Sequence, residues 1–251
     1  MIPHVAIATR NNPSGLACLL GSICRFRLSV SIADASDVPV ITDQQIARIS
    51  ANISGGVHYT HTTSPNLVAQ RRCAVDFLRD EDWSLFLDDD LAYVGEEDLA
   101  KVISDSSSYG YDFIQGYKVD AFNDRGYPDF GRDDLTPHHD PGYARRAGYV
   151  DEEGIVAVQD CAPFRYDGGV FLTTKGALES AYNILEEKSC RVGHPPHCIQ
   201  DDSLVQLLGS TGNTAVGVSF HFRHYGNDNS NWSTNAQKQY AVDQLTRKGK
   251  A

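Results

Sequence analysis

The sequence predicts an α/β sandwich, and three observations predict it. Short apolar runs of strand length alternate with helix-period segments as far as about residue 225. The first of these runs leads through a polar turn into an amphipathic helix, which is how a nucleotide-binding unit opens. Acidic residues then sit at the carboxyl ends of strands, at Asp34 and again at Asp88, and in an open α/β sheet that is the edge where ligands bind.

Taken in order, Val5-Ala-Ile-Ala-Thr forms the buried part of a first strand from His4 to Thr9. Arg10-Asn-Asn-Pro-Ser turns the chain into a helix from about Gly15 to Cys24. The second strand, Leu28 to Ala33, ends in Asp34-Ala-Ser-Asp37. Thr42-Asp-Gln-Gln opens a capped helix, and Val57 to His61 is a third strand. From Pro65 onward, Leu67, Val68, Arg71 with Arg72, Val75 and Leu78 recur at helical spacing. Ser84 to Leu87 is a strand that runs into Asp88, Asp89 and Asp90, followed by a helix from Glu96 to Ile103.

Tyr111 to Lys118 is a strand with mixed faces. Residues 120–154, crowded with Gly, Pro, Asp, Arg, Tyr and His, have no clear period, and a long irregular segment inside a compact domain is functional or disordered. Ile155 to Gln159 resumes as strand. Gly168 and Gly169 precede another apolar strand, either to let a ligand approach the backbone or to turn a tight corner. Leu178 to Glu187 is a helix, and Asp201-Asp202 opens one more. Ala215 to Tyr225 is the last strand and carries His221 and His224; strand alternation points the two to opposite faces, so at most one of them ligates a metal. A polar tail from Asn227 holds one helix, about Asn235 to Leu245.

The 251 residues are enough for one full core, and a net charge of -11 argues against a nucleic-acid or anionic-membrane surface. Neither a signal segment nor a bilayer-spanning run is expected, so the sequence reads as cytoplasmic. Six scattered cysteines suit reduced thiols better than a disulfide framework. Cys190 and Cys198 bracket His194 and His197 and could pair or bind zinc, although the spacing fits no common zinc pattern. Sequons at Asn52 and Asn231 carry little weight without a secretory signal.

Asp88, Asp89 and Asp90 hold the chemistry. Adjacent carboxylates in a cleft repel and need a compensating charge, for which a divalent cation with oxygen ligands is suited. The alternative is a solvated acidic turn, but Leu85-Phe86-Leu87 is too apolar to lead into a surface loop. Asp34 has its own alternative as a turn cap, and Asp201 and Asp202 have theirs as helix-opening caps.

Trp83-Ser-Leu-Phe-Leu-Asp-Asp-Asp-Leu-Ala-Tyr-Val resembles the DxD region of GT-A-fold glycosyltransferases, most of all the Fringe-type enzymes, and the front half resembles inverting family 2. The resemblance spans about residues 4–225. It implies a Rossmann-like α/β/α sandwich with a mixed, mostly parallel sheet, a nucleotide-sugar-binding half over 1–95 and an acceptor half over 96–226 with a lid at about 120–154. It also implies a tail over 227–251. Thr9, Arg10 and Asp34, with Asp37 as substitute, fall in the nucleobase position. Arg71, or its neighbour Arg72, faces the diphosphate, and Asp88 and Asp89 border the nucleotide. Asp88, Asp90 and His224 or His221 hold Mn²⁺ or Mg²⁺, while Gly168 and Gly169 line the sugar.

Setting Leu204 on the family's recurrent leucine puts Asp201 on the catalytic base, with Asp202 still open because Gln200 replaces a common glutamate. The function implied is metal-dependent inverting transfer from a UDP-type sugar to a glycan or other hydroxyl acceptor, by a monomer or homodimer. A nucleotidyltransferase or a non-catalytic nucleotide-sugar-binding protein are the alternatives.

Overall fold

The computed structural model describes residues 2–63, 66–120, 126–127, 155–157, 168–191, 204–205, 207–209 and 214–225. Its elements are β1 (His4–Thr9), α1 (Pro13–Ile23), β2 (Ser29–Asp34), α2 (Asp43–Asn52), β3 (Val57–His61), α3 (Leu67–Val75), β4 (Trp83–Asp88), β5 (Leu91–Tyr93), α4 (Leu99–Ser106), β6 (Phe113–Asp120), β7 (Gly126–Tyr127), β8 (Ile155–Ala157), β9 (Val170–Thr174), α5 (Lys175–Arg191) and β10 (Thr214–His224). Residues 204–205 and 207–209 are helical as well. The expected tail helix, Asp201, Asp202, Cys198, His194 and His197 lie outside the described residues, as does most of 120–154.

Polar caps set the helix boundaries. Asn12 caps α1 with Pro13 in the first turn, where its missing N–H costs nothing. Thr42 and Gln45 form the expected capping box on α2. Asp98 accepts the N–H groups of Ala100 and Lys101, which starts α4 at Leu99 rather than at Glu96. Thr174 Oγ1 accepts from Ala177 N, and α5 begins at Lys175.

Ten strands form one sheet in the order β3-β2-β1-β4-β9-β6-β10-β5, with β7 on β6 and β8 on β10. β3, β2, β1, β4, β6 and β10 all point the same way, and β9 runs against them between β4 and β6. The sheet is therefore mixed but mostly parallel by direction, as expected. Alternating side chains feed two cores. Val5, Ile7, Val30, Ile32, Leu85 and Leu87 share a cluster with the buried faces of α1 and α4. Ala6, Phe86, Phe113 and Phe171 meet residues of α3, α5 and the 204–208 segment on the other side. Phe171 anchors that second layer, stacked on Phe86 at 4.8 Å and on Phe113 at 5.7 Å.

His4, at the amino-terminal edge of the sheet, is buried against Ser84, with Nδ1 2.7 Å from Oγ. Burial lowers its pKa to about 4, with Asp82 opposing the shift and His58 adding to it. Between that value and the ordinary ~6.5, the unfolded chain takes up a proton that the folded chain refuses. The resulting stability is whole above pH ~6.5 and is lost as pH falls toward ~4. The stability advantage of wild type over His4→Gln should shrink by about 2.5 kcal/mol between pH 7 and pH 4.5 in urea titrations. Parallel curves would show that His4 is protonated without cost.

Candidate functional site

The parallel register gathers the chemistry at one edge. Thr9 pairs with Asp34 and Asp34 with His61, each the last residue of its strand, while Ala8 pairs with Asp88 at the end of β4. β10 ends at the same edge with His224. After the acidic turn the chain enters β5, which runs antiparallel to β10 with Leu91 opposite His224. Three residues are too few to show a period, so β5 was not expected from the sequence, yet it is what brings Asp90 to the last strand.

Each aspartate of the triplet has a different partner. Asp88 accepts a 2.9 Å hydrogen bond from Arg71 Nη2. Arg71 is 1% exposed, donates also to the Gly168 carbonyl and lies 5.0 Å from the Phe171 ring centroid. Asp88 N–H donates to the Gly169 carbonyl at 3.0 Å. The glycine pair, the arginine and the acidic strand end are thereby fastened together. Arg72 points elsewhere, pairing with both carboxylate oxygens of Glu179 at 2.9–3.0 Å and lying over Tyr182, so it joins α3 to α5.

Asp89 is buried and turned inward to the β1–α1 loop. It accepts from Thr9 Oγ1 at 2.5 Å, Asn12 Nδ2 at 3.0 Å and Arg10 N at 3.3 Å. Burial pushes its carboxyl up to about 7; the Thr9 and Asn12 bonds oppose this, and the charges of Asp90 and Asp88 add to it. Asp90 faces His224, with Oδ2 3.1 Å from Nε2. Burial alone would raise Asp90, but the His224 hydrogen bond, the charge on that ring and buried Lys118 together hold it below the usual carboxylate range.

The neighbouring part of this edge is built from the β1–α1 loop and the end of β2. Asp34 is fully buried and accepts from Ser36 N, Val40 N and Tyr59 Oη, at 2.8, 2.8 and 2.5 Å, so both of its oxygens are occupied by the fold. Asp37 is exposed; it accepts from Asn11 Nδ2 at 3.4 Å, donates N–H to Asn11 Oδ1 at 3.2 Å and stands 3.9 Å from Arg10. Asn11 has φ 54°, a left-handed backbone unusual outside glycine, and its N–H reaches Ser36 Oγ at 2.7 Å. His221 is half-buried, and burial, with help from the Arg223 charge, lowers its pKa.

The structure thus brings Thr9, Arg10, Asp88, Asp89, Asp90, Arg71, Gly168, Gly169 and His224 to one edge, with Asp34 beneath it and Asp37 at its rim. Asn11, Asn12 and Lys118 also belong there and were not singled out from sequence. An Asn-Pro pair before an apolar helix signals a cap for Asn12; a lone lysine in strand β6 gives no signal. Among the described residues, Asp90 Oδ1 is buried with no hydrogen-bond partner. Carboxylate oxygen beside imidazole suits a divalent metal, so Asp90 and His224 fit one. No group of three metal-ligating side chains is assembled among the described residues.

Solved structures share this architecture. TarS residues 1–349 of S. aureus superposes with a TM-score of 0.59 at 15% identity over 90% of this chain. GalNAc-T7, solved with UDP, GalNAc and Mn²⁺, gives 0.55 at 12% over 90%. The glycosyltransferase GlyE of Streptococcus pneumoniae gives 0.50 at 13% over 93%. The fold is GT-A. The present chain spans 60% of that TarS chain, 57% of GlyE and 44% of GalNAc-T7. No protein-family model and no curated protein matches it. No described helix of this GT-A fold is long and apolar enough to cross a membrane.

The two arginines separate experimentally. Arg71→Met leaves Asp88 beside a buried apolar side chain and should cost about 3 kcal/mol. Arg72→Met removes a half-exposed pair and should cost about 1 kcal/mol or less. Urea midpoints measure both, and equal losses would contradict the buried clamp.

Proposed function

We propose that the protein is a metal-dependent inverting glycosyltransferase that moves a sugar from a UDP-sugar to the hydroxyl of a glycan or another acceptor. The observation that carries this reading is the Asp90–His224 pair at the carboxyl edge of a GT-A sheet, with a buried carboxylate oxygen that has no partner among the described residues. The GalNAc-T7 neighbour, solved with UDP, GalNAc and Mn²⁺, supports the choice of nucleotide and metal.

Asp90 and His224, with Asp88 beside them, would hold Mn²⁺ or Mg²⁺. When bound, the metal supplies positive charge to the leaving diphosphate. Thr9, Arg10 and Asp37 border the nucleobase, while Asp34 shapes that wall from behind, because its oxygens already serve Ser36, Val40 and Tyr59. Arg71 holds Asp88 and the Gly168 carbonyl in place, and acts on the diphosphate through Asp88 rather than directly. Gly168 and Gly169, buried just before β9, present backbone to the donor sugar. Asp201 takes the proton of the acceptor hydroxyl as it attacks from the side opposite the diphosphate, and Asp202 caps the helix or orients its neighbour. Both lie outside the described residues, and their assignment rests on the order of motifs and on the helical residues that follow at 204–205 and 207–209.

Donor hydrolysis needs no acceptor and tests the reading directly. A UDP-sugar should be cleaved slowly with Mn²⁺ and not in EDTA, and Asp201→Asn should bind UDP normally while transferring ~10²–10⁴-fold more slowly. Failure to cleave any UDP- or GDP-sugar, or pyrophosphate release from a nucleoside triphosphate instead, would overturn it.

A further inference from the structure

Asn12 sits in the loop after β1, against the acidic turn. Its side chain is 7% exposed and has two jobs at once. Oδ1 accepts the Gly15 N–H at 3.1 Å, as the cap of α1. That bond fixes the plane of the amide and leaves Nδ2 directed at Asp89 Oδ1, 3.0 Å away. Gly15 leaves the room: a Cβ there would lie 2.2 Å from Asn12 Nδ2 and 2.7 Å from the Asp89 carbonyl oxygen.

Asp89 is the middle residue of the acidic turn, so whatever fixes its side chain fixes the turn. Thr9 Oγ1 and Arg10 N hold Oδ2, and Asn12 alone among the described residues holds Oδ1. With Asp89 turned into the β1–α1 loop, Asp88 emerges on one side toward Arg71 and Asp90 on the other toward His224. Asp89 shares its backbone with both neighbours, so a shift of the turn on loss of its side-chain anchors would displace Asp88 and Asp90 together.

We infer that Asn12 is a positioning residue of the metal–diphosphate site, acting through Asp89 to set the separation of Asp88 and Asp90. The inference rests on the functional reading above and extends it to a residue that contacts neither substrate nor metal. Capping and positioning are separable here because Asn, Asp and Ser cap helices about equally well. Asn12→Ser keeps the cap but is too short to reach Asp89. Asn12→Asp keeps the cap and sets a carboxylate against a carboxylate.

The test is calorimetric titration of wild type, Asn12→Ser and Asn12→Asp with UDP, and again with GDP, each in Mn²⁺ and in EDTA, with thermal midpoints recorded alongside. Loss of a side chain bonded to a metal ligand costs about 10–100-fold; Asn12 acts one residue further out, through Asp89, so the lower end of that range applies. Asn12→Ser should therefore keep a near-native midpoint yet lose about tenfold in Mn²⁺-dependent nucleotide affinity, and Asn12→Asp should lose more. Residual binding in EDTA should change little in either variant.

Variants that bind the Mn²⁺ nucleotide as wild type does would overturn the positioning role and leave the functional reading standing. Equal losses with and without the metal would likewise mark Asn12 as merely structural. If wild type itself binds neither nucleotide more tightly with Mn²⁺, the functional reading falls and this inference with it. Should Asn12→Asp fail to fold, Asn12→Ser decides alone, since its cap is preserved.

Discussion

The hydrogen bonds converging on Asp89 join the two halves of the cleft. Thr9, Arg10 and Asn12, from the loop after β1, all donate to this one carboxylate at the end of β4. β1 and β4 are already paired as strands, but strand pairing stops at the edge of the sheet, and the loops beyond it need their own tie. Hydrogen bonds to a charged group contribute roughly 1.5–3 kcal/mol each, enough to keep both loops in one conformation. The cost appears in the carboxyl itself, which burial pushes up to about 7 despite these donors.

Three adjacent aspartates pose an electrostatic problem that the fold solves locally and in three ways. Arg71 neutralises Asp88 from within α3, and His224 with Lys118 does so for Asp90 from the far side of the sheet. Asp89, between them, is surrounded by neutral or backbone donors, and burial raises its pKa to about 7. The sequence argument assigned one cation to the whole triplet. Of the three aspartates, Asp90 alone presents a buried side-chain oxygen without a partner among the described residues, which favours the Asp90–His224 side for the proposed metal.

Much of the fold was legible in the chain because its strands are short apolar runs ending in polar or acidic residues, and its helices begin at recognisable caps. The strands β1, β2 and β3, the strand before the acidic turn and a mostly parallel sheet were expected and found. What sequence could not reveal was pairing. β5 is too short to read, and only its pairing with β10 brings Asp90 opposite His224. The roles of Asp34 and Arg72 depended on the same kind of information: Asp34 is absorbed by Ser36, Val40 and Tyr59, and Arg72 by Glu179, partners far away in sequence or invisible to periodicity. Asn12 was not singled out, although an Asn-Pro pair before an apolar helix signals a cap; its second contact, 77 residues away, needed three dimensions.

The central claim is that this edge of the sheet holds a divalent metal between the acidic turn and the last strand. Anomalous scattering from manganese, in crystals soaked with MnCl₂ and UDP, tests it most directly. The account predicts one manganese peak bound by Asp90 Oδ1 and the His224 ring, with the diphosphate on the same ion and the present 3.1 Å Asp90–His224 hydrogen bond opened. A peak elsewhere on the molecule, or UDP bound with that hydrogen bond intact and no manganese beside it, would contradict it.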